Sequence, residues 1–94
     1  MKRNFQWDEE KAGKNFQKHG VDFEEAKTVF SDPLSITVRD SEHSFDEDRF
    51  LDIGFSARNR LLIVVYTERE KNTRIISSRT ATANERKRYE EGLS

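Results

Sequence analysis

The groups able to do chemistry in this chain are two histidines, eighteen carboxylates and seventeen lysines and arginines, with no cysteine. Thiol catalysis, disulfides and Cys-based zinc sites are thereby excluded, and two histidines are few for a protein-built transition-metal site. A Gly-rich phosphate loop, a Gly-x-Ser-x-Gly elbow and a His-Glu-x-x-His helix are also missing, so no cofactor or metal is implied. What remains is a dispersed polar set: Lys18, His19, Glu47, Arg49, Arg69 and Arg79. Glu47 and Arg49 share one side of a predicted strand with Leu51, Ile53 and Phe55. They are either a functional pair in a concave site or a cross-strand ion pair near the sheet end. Arg79 precedes a capped helix, where free backbone N–H groups favour an anion site; its other role is to tether helix to sheet. Arg69 stands just past the central strand on a turn, free to reach a substrate or simply solvated. His19, beside Lys18 at a helix end, is the residue type that exchanges protons near neutral pH, or else it favours the helix dipole. His43 falls in a polar turn, Trp7 in the core, and Tyr66 and Tyr89 at the core edge.

Arginine, lysine, histidine and glutamate without metal or thiol match metal-independent RNA cleavage. There the substrate's 2′-hydroxyl is the nucleophile, and the protein supplies a base, an acid and positive charge for the phosphorane-like transition state. The overall charge of −1 conceals an asymmetry that bears on this. Residues 1–56 carry 8 basic and 13 acidic groups, net −5, whereas residues 57–94 carry 9 and 5, net +4. Most of the excess is arginine (Arg58, Arg60, Arg69, Arg74, Arg79, Arg86, Arg88), whose planar fork of donors matches phosphate oxygens in pairs. These arginines either form a polyanion face or pair with the acidic half in surface networks.

Positioning such a set requires a scaffold, and 94 residues suffice for one small domain, residues 1–94. An aromatic fraction of 11% supplies core material despite 37% charged residues and a mean hydropathy of −0.96. Asn4 to Trp7 predicts a first strand. Asp8 caps a helix with Glu9 and Glu10 in its first turn, and His19-Gly20 stops it. A second helix starts at Asp22, with Glu25 at a variant of capping-box spacing, and buries Phe23, Ala26, Val29 and Phe30 before Asp32-Pro33 ends it. The period then becomes two: Leu34, Ile36 and Val38 alternate, and a longer strand places Phe45, Glu47, Arg49, Leu51, Ile53 and Phe55 on one side. Residues 56–60 form a hairpin turn, Leu61–Tyr66 a central strand covered on both faces, residues 68–72 a turn and Thr73–Ser78 a last strand. Thr82-x-x-Glu85 is a capping box for a final helix, with Arg86 and Glu90 spaced for an i, i+4 pair. The order β-α-α-β-β-β-β-α predicts an α+β fold with a mostly antiparallel, twisted sheet and packed helices. The longest apolar run, Leu61–Tyr66, is six residues against roughly twenty for a membrane span. The segment MKRNFQWDEEKAG has no apolar signal region, so a cytoplasmic protein with no membrane partner is expected.

Phe5-x-Trp7-Asp8-x-x-Lys11-Ala12 and Asn15-x-x-Lys18-His19-Gly20-Val21-x-Phe23-x-x-Ala26 resemble the N-terminal half of BrnT-type toxins. The likeness continues through Val29-Phe30-x-Asp32-Pro33, Arg49-x-x-x-Ile53-Gly54, Val64-Val65-Tyr66-Thr67-x-Arg69 and Arg74-Ile75-Ile76-Ser77-x-Arg79-x-Ala81, and closes with Glu85-Arg86-x-x-Tyr89-Glu90. Residues 82–84 lack the basic residues common there. The resemblance implies the toxin of a bacterial type II toxin–antitoxin pair: a RelE-like fold and a ribonuclease that arrests translation. It also implies a ribbon-helix-helix antitoxin as partner, operator DNA bound only through that complex, and a higher-order toxin–antitoxin assembly. A catalytic set is then to be sought among Lys18, His19, Glu47, Arg49, Arg69 and Arg79. The alternative is a non-catalytic module, a degenerate toxin retained for antitoxin binding and operator regulation. The acidic stretch Asp40–Asp52 is expected to lie away from the RNA face.

Overall fold

The chain runs as β1 (Asn4–Gln6), α1 (Glu9–His19), α2 (Phe23–Ala26), a 3₁₀ turn (Lys27–Ser31), β2 (Ile36–Arg39), a second 3₁₀ turn (Ser41–His43), β3 (Arg49–Phe55), β4 (Leu61–Arg69), β5 (Asn72–Thr80) and α3 (Ala83–Glu91). This is the expected α+β order, in a computed structural model that describes residues 3–44 and 46–92. Phe45, which alternation assigns to the third strand, lies outside the described residues. No helix among the described residues is long and apolar enough to cross a membrane.

Local chemistry accounts for the helix ends. The Asp8 carboxylate accepts from the amides of Glu10 and Lys11 at 2.8 and 3.1 Å, satisfying donors that the first helical turn leaves orphaned. Gly20 ends α1 in the left-handed region, φ 69°, with its N–H on the Phe16 carbonyl at 2.8 Å, a conformation that favours glycine. Thr82 and Glu85 make the reciprocal capping box at the start of α3. Asp22 caps α2, but the Glu25 side chain does not return to it. That carboxylate is buried instead, bonded to the Ser56 hydroxyl at 2.7 Å and to both Arg60 donors. No ion pair joins Arg86 to Glu90 among the described residues.

The strands form one sheet in the order β1-β5-β4-β3-β2, with β1 parallel to β5 and every other pair antiparallel. Central strand β4 is buried on both faces, as its unbroken apolar run predicts. Leu62, Val64 and Tyr66 face a core with Val21, Phe23, Ala26, Val29 and Ile75, under the helices that follow β1. Leu61 and Ile63 face the other way and meet Ile53 and Tyr89 of α3. Helix α3 packs on that end of the second face, and among the described residues Arg49 and residues 67–69 at the far end belong to neither hydrophobic cluster. A bulge separates the two halves of β5: Val65 pairs with Ser77 but Tyr66 with Ile75, leaving Ile76 as an extra residue.

Polar groups inside the fold are organised around three side chains. Asn15 of α1 uses its amide as a strand would. Its Nδ2 donates to Ser78 and Val21 carbonyls at 2.8 and 3.0 Å, and its Oδ1 accepts from the Ser78 amide at 3.1 Å. The edge of β5 that short β1 leaves open is thereby closed. Asp32 accepts from the Phe55 amide at 2.8 Å and from the Tyr89 hydroxyl at 2.7 Å, locking α3 to β3; burial and this bond push the Tyr89 hydroxyl up to about 12. Asp52 accepts from Thr37 at 2.7 Å and Tyr66 at 2.9 Å. Burial raises its carboxyl above the ordinary range against the pull of both bonds. Tyr66 therefore sits mid-strand and 4% exposed, not at a strand end, and Tyr89 points across to β3 rather than along its helix toward Glu85.

Two outcomes are expected. Asn15→Ala leaves the buried Ser78 amide and two carbonyls unpaired, and urea denaturation should show a loss of about 2–3 kcal/mol. For Asp52 the folded carboxyl favours its protonated form, so its stabilising contribution is present below the unfolded pKa and is lost as pH rises. The melting temperature of Asp52→Asn relative to the parent should accordingly increase from pH 4 to pH 7; an unchanged difference would show that Asp52 ionises without penalty.

Candidate active site

The far end of that second face collects the cations. Register places Gln6, Arg74, Thr67 and Arg49 in one row across β1, β5, β4 and β3, and directly paired residues share a face. The next position along β4 on that face is Arg69, opposite Asn72. Glu47, in the bend before β3, reaches over this row and pairs with Arg69 in a two-pronged ion pair, Oε1 to Nη2 at 2.7 Å and Oε2 to Nε at 3.0 Å. Beside it His43, Asp46, Glu47 and Arg49 line a hollow of about 160 Å³. The Arg69 hydrogen bonds, reinforced by the charges of Arg69, Arg49 and Arg74, hold the Glu47 carboxyl below the usual range. At neutral pH this group is an acceptor and not a proton donor.

Arg49 is half-buried and enters no ion pair among the described residues, while Arg74 donates only a long bond to Gln6 at 3.3 Å. Three guanidiniums gather here with the carboxylates of Glu47 and Asp46, one positive charge in excess over these five groups, although the whole chain is slightly acidic. Such an arrangement can hold a phosphodiester, accept a proton from a hydroxyl beside it and stabilise charge that develops on phosphorus.

Of the six residues singled out by sequence, Glu47, Arg49 and Arg69 come together here. Two details differ from expectation. Arg69 is the last residue of β4, not a turn residue, because the hairpin to β5 needs only Glu70 and Lys71, with Glu70 at φ 55°. Glu47 precedes β3 and is not part of it, and its partner is Arg69 across the sheet, not Arg49. The acidic stretch does not lie wholly away from this face: Glu47 is on it, whereas Asp48 pairs with Arg39, Asp40 with His43, and Asp52 is internal.

Arg79 lies five residues further along β5, about 16 Å from Arg74 at strand rise. Its guanidinium grips Glu85 through two bonds of 2.7 and 2.9 Å, the geometry of a tether between sheet and helix. Glu85 also accepts from the Thr82 amide at 2.8 Å, and Arg79 followed by that cap lowers its carboxyl to about 2. Lys18 and His19 occupy the last turn of α1. Asn15, one turn earlier, is bonded to Ser78, so this helix end neighbours the Arg79 end of β5. The structure thus brings Glu47, Arg49 and Arg69 together and leaves Arg79, on the face of α3, and Lys18 and His19, on α1 over the other face, apart from them.

Sequence reasoning counted Arg74 only among the arginines of a possible polyanion face and did not single out Thr67. The one available signal was a conflict of parity in β5, where Ile75 and Arg79 cannot both obey strict alternation if one belongs inside and the other outside. The remaining hollows, of about 400 and 190 Å³, lie between α2, its 3₁₀ extension and the β3–β4 turn. There the Glu25–Arg60–Ser56 network is internally satisfied. Among the described residues no group of three or more His, Asp or Glu is placed to hold a metal ion.

Residues 7–85 match the family model described as ribonuclease toxin, BrnT, of type II toxin–antitoxin system. The fold resembles the crystal structure of the Brucella abortus ribonuclease toxin BrnT, with a TM-score of 0.66 over 86% of this chain and 99% of that one, at 23% identity. No curated protein matches. With the family model spanning most of its length, the chain belongs to the BrnT family, the ribonuclease toxins of type II toxin–antitoxin systems.

Proposed function

We propose that this protein is a metal-independent endoribonuclease whose reaction takes place at Glu47, Arg49 and Arg69. The observation that carries the proposal is the carboxylate of Glu47 held among three guanidiniums on an open sheet face. The substrate's 2′-oxygen attacks the adjacent phosphorus, and its proton passes to Glu47 and then to solvent. The P–O5′ bond breaks, leaving a 2′,3′-cyclic phosphate, and water protonates the departing 5′-oxygen. Arg49 and Arg69 stabilise the additional negative charge on the phosphorane oxygens, where a preorganised donor is most effective. Arg79 is held by Glu85 and tethers the final helix, while Lys18 and His19, at that end of the molecule, hold flanking phosphates. We further infer that cleavage arrests translation in the cytoplasm and that a ribbon-helix-helix antitoxin neutralises the toxin. Operator DNA is bound through that complex, in a higher-order assembly, and not by the toxin alone.

The proposal is tested with partner-free protein and end-labelled RNA in EDTA. The parent should cleave, and Glu47→Gln should reduce kcat by about 10²–10⁴-fold. The pH dependence discriminates further. A base must be ionised, so activity falls as pH drops through its pKa. Arg69 lowers that pKa, and Arg69→Ala should move the acid limb of the rate profile to higher pH as well as reduce kcat/KM by about 10²–10³-fold. An acid limb that stays in place would remove Glu47 as the base. Antitoxin binding without cleavage would establish the non-catalytic module instead.

A further inference from the structure

The hydroxyl of Thr67 is buried and has no hydrogen-bond partner among the described residues, in a residue only 1% exposed. Threonine in a strand ordinarily finds water or a carbonyl, and a buried polar atom without a partner calls for an explanation. Its position supplies one. Thr67 alternates with Tyr66, which faces the helical core, so its side chain stands on the opposite face, buried there. Arg49 and Arg74 are its direct neighbours on the two adjoining strands, their backbones about 10 Å apart across it. Direct pairing with Thr67 puts both on its side of the sheet, and the charge of each lowers the Glu47 carboxyl. Neither enters an ion pair among the described residues.

We propose that Thr67, Arg49 and Arg74 form a phosphate seat that binds a phosphodiester of the substrate strand, with the Thr67 hydroxyl as a neutral donor on its floor. The assignment rests on the ribonuclease proposal and adds to it two binding residues, Thr67 and Arg74. Two arginines converging on one phosphate offer paired donors, and the hydroxyl supplies the bond that fixes the phosphate against the sheet. The seat adjoins Glu47 and Arg69, so a strand held there presents its sugar edge to the carboxylate.

The test measures affinity of the full chain for a fully 2′-O-methylated RNA oligonucleotide, which lacks the nucleophile, across a salt series. Thr67→Val preserves shape and removes the donor: binding should weaken about tenfold, as for a lost bond to a charged group, with an unaltered salt slope. Thr67→Ser should bind like the parent. Arg74→Gln should weaken binding and reduce the slope of log K against log salt by about 0.7, one phosphate contact on a single strand. If Thr67→Val melts higher than the parent yet binds equally well, the hydroxyl is a structural vacancy or a water site and the seat is overturned. If the parent neither cleaves RNA nor binds the oligonucleotide, the ribonuclease proposal fails. Titration with pyrophosphate, followed by NMR at Thr67, Arg49 and Arg74, then decides the seat alone: saturable shifts uphold it and their absence overturns it.

Discussion

A single extra residue in β5 decides what the open face of this sheet carries. Above the bulge Arg79 and Ser77 pair with Ile63 and Val65, and below it Ile75 and Arg74 pair with Tyr66 and Thr67. Continued without the insertion, the same register would set Ile75 opposite Thr67 and Arg74 opposite Glu68. Arg74 would then point into the helical side, and Ile75 would leave the core. A shift of one residue exchanges the two faces of a strand, and a bulge does so locally without unpairing the rest. The insertion at Ile76 therefore buries Ile75 and at the same stroke lines Arg74 up with Thr67 and Arg49.

The helices complete this division of labour. Helices α1 and α2 pack on one face, mainly against β5, and the 3₁₀ turn after α2 packs on β3 and β4, with Asn15 sealing the edge of β5. Helix α3 has one buried residue, Tyr89, which meets Phe55 edge-on at 5.4 Å and anchors in Asp32. A longer or more apolar final helix would cover the cationic end. Arg79 and Glu85 hold the short one at the opposite end. The acidic excess of the first half is spent partly on structure: Glu25 neutralises Arg60 inside the fold, and Asp48 neutralises Arg39. Within the arginine-rich half, Arg60 pairs with Glu25 of the acidic half and Arg79 with Glu85 of its own half, while Arg74 enters no ion pair among the described residues.

The element order, the caps at Asp8, Gly20 and Thr82–Glu85, and the doubly buried β4 were legible because each depends on local chemistry or on an uninterrupted pattern. The grouping of Glu47, Arg49 and Arg69 was legible in part. Strand alternation put Glu47 and Arg49 on one side, but their relation to Arg69 depends on which strands pair and in what register. The roles of Asn15, Asp52 and Glu25 were not legible. A polar residue that closes an edge or bonds a distant tyrosine has the same local signature as a solvated one. Arg74 was legible only as one of seven arginines, since the bulge in β5 is what turns it to the face of Thr67, and Thr67 looks in sequence like any strand threonine.

The account stands on where the scissile phosphate lies. A crystal structure of this chain with an RNA strand carrying a single 2′-deoxy substitution at its cleavage point would show it directly. The account predicts that phosphate within hydrogen-bond distance of Arg49 and Arg69, with the C2′ edge of the sugar turned toward the Glu47 carboxylate and the Glu47–Arg69 pair opened to admit it. A strand bound instead at the Arg79 end, or on the helical face, with Glu47 still closed on Arg69, would contradict it.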